Sequence, residues 1–319
     1  MLIRPLAVLA SLAVTVGIGL AVAPMPRAQP IDGGLYDPAT LAGTERMTAN
    51  VTLLLREDIP AALPRTQRAR AATIDIRFPD RGPHPISIFA DPAANAVILP
   101  RETLRFLDDM AILTAWFERH DCERLWTGAY LAGLLQGREA PRPPLAAFGL
   151  DRDTLLADPF VDEMSAWILS DAVYFLVAHE VGHLLLDHRP GLTGAASQTQ
   201  EMEADAFALD TFAAIGRPPG GMVATFAWML WFDVHDPEHG THPISGERLQ
   251  AIADRLAAEP MQFAFSDPDP QRGLRTVQTV ASEIARMAEI ASTEGLATLA
   301  PLGLSAQFPA SRFPTACPG

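Results

Sequence analysis

Lysine is absent from this 319-residue chain, so all 24 basic residues are arginine. The absence goes with abundant alanine, arginine and proline, reads as base composition, and carries no functional signal. Positive charge as a whole is scarce. With 38 acidic residues the formal net charge is −14, which argues against nucleic acid or an anionic membrane surface as a partner. Cysteine is limited to Cys122 and Cys317, and neither lies near the histidine-rich stretches, which excludes a cysteine-based zinc site. After residue 30 no uncharged apolar run is long enough to span a bilayer, because 222–232 is too short. Internal repeats are also missing. With 49% hydrophobic residues, the chain still has material for a sizeable core in one main domain with additions.

Residues 1–28 read as a signal peptide or an N-terminal anchor. Arg4 gives a positive start, 6–23 carries no charge, and Ala23 or Ala28 precedes a plausible cleavage site. Export with cleavage is the preferred reading and a retained membrane anchor the alternative. Either places the remainder in a periplasmic or other extracytoplasmic compartment. There, Cys122 and Cys317 are expected to form a disulfide that ties the tail to the region before the main helix.

What is present centres on His179-Glu180-Val181-Gly182-His183, inside a helix-compatible apolar stretch from Val161 to His188. Residues four apart share a helix face, so His179 and His183 can hold one tetrahedral zinc ion between them. Glu180, one step round, can reach a water on an open position. Gly182 allows close approach of another segment. The plain alternative is a buried helix with satisfied histidines.

A third ligand is sought in a second helix, predicted over 197–215 with Ser197 and Gln200 as a capping box. Glu201 and Asp205 share one face, flanked by Ala204 and Ala208, whose small size permits close packing. Glu201 is the preferred ligand, and Asp205 could accept the free ring N–H of a ligand histidine. Glu203 points elsewhere and reads as a solvated or salt-bridged residue. An acidic helix face with no metal is the bland reading of this segment taken alone.

Taken together, His-Glu-x-x-His, the further His188, Glu-x-x-Ala-Asp at 201–205, Thr241-His242-Pro243 with Arg248, and Asn95-Ala96 resemble the HtpX and CAAX-prenyl-protease type of zinc metallopeptidase. The resemblance covers roughly residues 70–258. It implies one zinc ion per chain, held by His179, His183 and Glu201, with Glu180 as catalytic base. It also implies that His242 faces the metal and that Asn95 and Ala96 border the substrate cleft. Only seventeen residues separate His183 from Glu201, whereas many members carry a longer insertion there.

The expected fold is α+β, a mainly helical zincin-like domain with a small β-meander at 73–78, 85–89 and 96–99. Residues 29–70 read as linker and irregular structure, with a strand at 49–55. Residues 71–258 form the metallopeptidase domain and 259–319 a helical extension and tail. Two helices are expected over 101–137, others at 222–234, 243–258 and 273–295, with Trp228 and Trp231 packing behind the site. His235, Asp236, Glu238, His239 and His242 crowd one loop.

The resulting expectation is a zinc-dependent endopeptidase of the bacterial cell envelope, acting on polypeptide. His242 would stabilise the oxyanion, and Arg248 would orient it or bind a substrate carboxylate. A closed-site binding or chaperone-like protein, with His242 in the fourth zinc position, is the alternative from another class. A self-inhibited protease and a cell-wall amidase also remain open.

Overall fold

A computed structural model describes residues 34–83, 87–122, 125–135, 141–235 and 242–292. The N-terminal segment 1–28, Cys317 with its expected bridge, and Asp236, Glu238, His239 and Thr241 lie outside the described residues.

The mainly helical α+β class with a small sheet is borne out. The first helices, however, occupy the stretch read as a linker. They are α1 (Pro38–Ala42), α2 (Glu45–Leu53), a π turn at Leu54–Asp58, α3 (Ile59–Ala62) and α4 (Arg65–Ala71). Proline misled the reading, because Pro38 and Pro60 occupy first-turn positions, where the missing N–H costs nothing. The expected strand at 49–55 is helical, and its Val51, Leu54 and Leu55 are buried in the core.

Three short strands follow, β1 (Asp75–Arg77), β2 (Phe89–Asp91) and β3 (Ala96–Ile98). Their order is β1-β3-β2, with β1 parallel to β3 and β2 antiparallel to it. The sheet is therefore mixed, and only β2 and β3 form the hairpin of a meander. Asn95, at φ 46°, turns the chain into β3, and its side chain donates to Thr73 O at 2.9 Å.

Beyond the sheet come α5 (Arg101–His120), α6 (Leu125–Leu135), and the short α7 (Pro144–Ala147) and α8 (Arg152–Leu156). The central helix is α9 (Pro159–Leu185), started by Asp158, whose carboxylate accepts from Phe160 N at 2.9 Å. By length and composition α9 is apolar enough to cross a membrane, a property the sequence reading did not grant it. In the fold 89% of its most apolar window is buried, as expected of a core helix that is hydrophobic all round.

Helix α10 (Gly194–Ile215) packs along α9. It begins three residues before the predicted start, with Thr193 before it making no side-chain cap, so the Ser197–Gln200 capping box does not form. At its C-terminal end, Gly216 takes φ 66° with Phe265 lying against it, a position closed to any side chain. Next are α11 (Met222–His235), α12 (Gly246–Ala258), a 3-10 turn at Pro260–Phe263, and α13 (Pro270–Ala291), which pairs with α12.

Trp231 packs on Gly128 of α6, and Trp228 is buried. Aromatic support behind the site comes from Phe226, edge-on to Phe175 at 5.2 Å between ring centres. Phe175 in turn lies 6.1 Å from the His179 ring.

Candidate metal centre

Helical spacing on α9 sets His179 and His183 on one face, with their Nε2 atoms 3.0 Å apart. Helix α10 brings Glu201 against them: its Oε2 is 3.3 Å from His179 Nε2 and its Oε1 is 3.4 Å from His183 Nε2. That close approach uses Gly182, where a Cβ would lie 3.1 Å from the Phe207 ring. His242, just before α12, completes the group. Its Nδ1 is 3.0 Å from Glu201 Oε2 and 3.3 Å from His179 Nε2.

These four donors suit a small divalent cation. Ligand atoms about 2.0–2.1 Å from a tetrahedral zinc sit about 3.3 Å from one another; the contacts named above run from 3.0 to 3.4 Å, and one donor atom from each of the four side chains lies within 4.8 Å of the others. Among the described residues these four side chains are the group able to converge on one metal ion. The geometry fits a metal ion; the donor types suit zinc.

The orientation of His179 is fixed from behind. Its Nδ1–H donates to Asp205 Oδ1 at 2.9 Å, which leaves Nε2 bare on the metal side. Asp205 is gripped by Arg248, whose Nε and Nη2 both donate to it, the latter at 2.8 Å. Arg248 also lies 3.1 Å from Glu201 Oε2. Ser245 positions it, because the Ser245 hydroxyl accepts from Arg248 N at the start of α12. At 1% exposure, Arg248 organises the site from within and offers nothing to a substrate carboxylate, one of the two roles expected for it.

Electrostatics follow from this crowding. Burial opposes ionisation of Glu201, but His179, His242 and Arg248 outweigh it and hold the carboxyl well below its usual range. Burial and the neighbouring His179 lower His183 to about 4, so its imidazole stays neutral and able to donate a lone pair. Burial likewise works against charge on His242, yet Glu180 and Glu201 push it well above the ordinary imidazole range. Glu180 is fully buried, and neither of its oxygens has a well-aligned hydrogen-bond donor among the described residues. Its nearest neighbour is His242 Nε2, 3.1 Å from Oε1. A buried carboxylate left this way calls for a functional account.

A cleft of about 570 Å³ opens beside these groups, lined by Phe89 and Ala90, by Glu180 and Glu201, and by the loop that carries Arg189 and Leu192. The sequence reading assigned the cleft border to Asn95 and Ala96, and the fold does not bring them there. Ala96 is fully buried in β3, which is paired on both sides, and Asn95 closes the turn before it. Strand β2 is an edge strand, and its Phe89 and Ala90 line the cleft.

His188 and Glu203 stand behind His183. His188 Nδ1 lies 2.8 Å from His183 Nδ1, and His188 Nε2 lies 3.0 Å from Glu203 Oε2. The further histidine after the motif was visible in the sequence. Its partnership with Glu203 was not, because it depends on how the chain turns after α9.

A family model described as Peptidase U49 matches residues 158–266, the segment from the start of α9 to just past α12 that carries the whole donor group. That match supports the broader part of the sequence resemblance, a peptidase, and does not point to the HtpX or CAAX-prenyl-protease type in particular. No curated protein and no solved structure matched the chain.

Proposed function

We propose that this chain is a zinc-dependent endopeptidase acting outside the cytoplasmic membrane. The observation that carries the reading is the convergence of His179, His183, Glu201 and His242, whose donor atoms lie within 4.8 Å of one another, with the buried Glu180 beside them. A zinc ion there would supply Lewis-acid polarisation of the scissile carbonyl and a nucleophilic water at neutral pH. Glu180 accepts the proton of the attacking water and delivers it to the leaving amine. Its burial and its lack of an aligned donor keep that carboxylate available for the task. His242, raised in pKa and adjacent to Glu180, donates toward the oxyanion as negative charge develops.

Polypeptide suits the cleft, because the edge strand β2 contributes Phe89 and Ala90 to its lining and an extended chain can add to an edge strand. The extracytoplasmic setting rests on the uncharged run at 6–23 of the sequence. The test is Glu180→Gln, which should keep zinc bound and abolish casein hydrolysis. Casein cleavage by that variant at the wild-type rate would remove Glu180 from the mechanism.

One observation favours a second, regulatory reading. His242 Nδ1 lies 3.0 Å from Glu201 Oε2 and 3.3 Å from His179 Nε2, so it could take the fourth position on a bound metal and hold the enzyme inactive until it withdraws. His242→Ala separates the roles: hydrolysis rises if the imidazole is a plug and falls if it is an oxyanion donor.

A further inference from the structure

We propose that His188 and Glu203 form a positioning relay that fixes the tautomer and orientation of the metal-facing His183. The inference rests on the metal-site reading above and adds two residues to it. His188 meets His183 on the ring edge that faces away from Glu201, and Glu203 meets the far nitrogen of His188. His183 Nε2 is turned to Glu201 and His179, while Nδ1 meets His188 Nδ1 at 2.8 Å.

Proton accounting admits one pattern with His188 neutral. Glu203 is an acceptor, so His188 Nε2–H donates to it across 3.0 Å. His188 Nδ1 is then bare and accepts from His183 Nδ1–H. His183 Nε2 is left with a lone pair directed at the metal position. His179 reaches the same state through Asp205, so the two ligand histidines are held by different devices, one a direct carboxylate and the other a carboxylate acting through a second imidazole.

The chain is built to return His188 to that place. Helix α9 ends at Leu185, and Asp187 takes the left-handed conformation at φ 56°. His188 N then donates to His183 O at 3.0 Å, which brings the second ring beneath the first. Arg70 of α4 clamps the turn: it donates to Leu184 O at 2.7 Å and Leu185 O at 2.9 Å and pairs with Asp187. The His188 side chain is only 6% exposed, while Glu203 is 56% exposed, so the relay runs from the buried site to the surface of α10.

The test measures zinc affinity of the full-length protein by chelator competition, with casein hydrolysis read in parallel. His188→Ala should weaken zinc binding by about 10- to 100-fold, as loss of a partner behind a ligand histidine does. Glu203→Ala should fall toward the lower end of that range. In the double variant Glu203→Ala should add nothing to His188→Ala, because the two residues act in series. His188→Asn, which keeps an acceptor near the Nδ1 position, should retain most of the affinity and lose its sensitivity to Glu203. His188→Phe, which keeps volume without an acceptor, should bind zinc as weakly as His188→Ala. Full zinc affinity in His188→Phe, or fully additive losses in the double variant, would overturn the relay. Zinc affinities that follow the predicted order without any casein cleavage would leave the relay standing and remove the peptidase reading.

Discussion

At the scale of single residues, the site depends on one cation more than on any other group. Arg248 is 1% exposed and lies against both Asp205 and Glu201. Replacing it with methionine keeps the volume and strands two buried carboxylates without their counter-charge. Breaking a buried pair in this way costs about 3–5 kcal/mol. Urea unfolding of Arg248→Met should show a loss of that order, accompanied by weaker zinc binding as Asp205 releases His179. A variant that binds zinc normally would show that Asp205 needs no help in orienting the ring. The sequence had already favoured Glu201 over Glu203 as the ligand from which face of α10 each occupies. The same argument left Glu203 as a solvated or salt-bridged residue without naming its partner, because helical phase alone does not disclose a neighbour arriving from the turn after α9.

At the scale of elements, the end of α9 is where backbone geometry and site geometry meet. Asp187 adopts a left-handed conformation that glycine takes without strain. Asp187→Gly therefore separates the turn from the ion pair with Arg70. It should preserve zinc affinity and change stability by less than about 1 kcal/mol, because an exposed ion pair contributes little. Arg70→Ala is the more damaging change, since Arg70 also satisfies the terminal carbonyls of Leu184 and Leu185. Thermal melts with and without zinc would rank the two variants. A larger loss in Asp187→Gly would place the structural weight on the ion pair rather than on the capped helix end.

At the scale of the whole molecule, a second buried charge ties α9 to the connection between α10 and α11. Asp171 is fully buried, accepts from Gly221 N at 2.9 Å and pairs with Arg217. Burial is the dominant influence and raises its carboxyl to about 6, against the opposing pull of Arg217. An unfolded aspartate titrates near 3.9. With the folded value raised, the contribution to stability is complete below about pH 4 and is lost as pH rises through about 6. Arg217→Met removes the charge that holds the carboxyl down, so the variant should lose more stability at pH 8 than at pH 4.5. The expected loss at pH 8 is about 2 kcal/mol, less than for a fully enclosed pair because Arg217 is 30% exposed. Urea melts at the two pH values check it; equal losses at both would mean that Arg217 acts through packing and not through charge.

The sequence by itself determined what is local. His179, Glu180 and His183 are related by the fixed pitch of a helix, and the long apolar stretch around them had to be buried, so α9 and the face that carries both histidines were legible without coordinates. The face shared by Glu201 and Asp205 was legible for the same reason, and so was the helix that carries Arg248, expected over 243–258 and observed from Gly246. Only the tertiary structure decided which elements meet. Prolines at helix starts made residues 38–71 look like a linker, when their apolar residues complete the core. The strand order put β3 in the middle and so moved the cleft border from Asn95 and Ala96 to β2. The turn at Asp187 joined His183, His188 and Glu203 into one hydrogen-bonded path. Periodicity fixes direction within an element; contact between elements follows from how their buried faces pack, and no spacing along the chain encodes that.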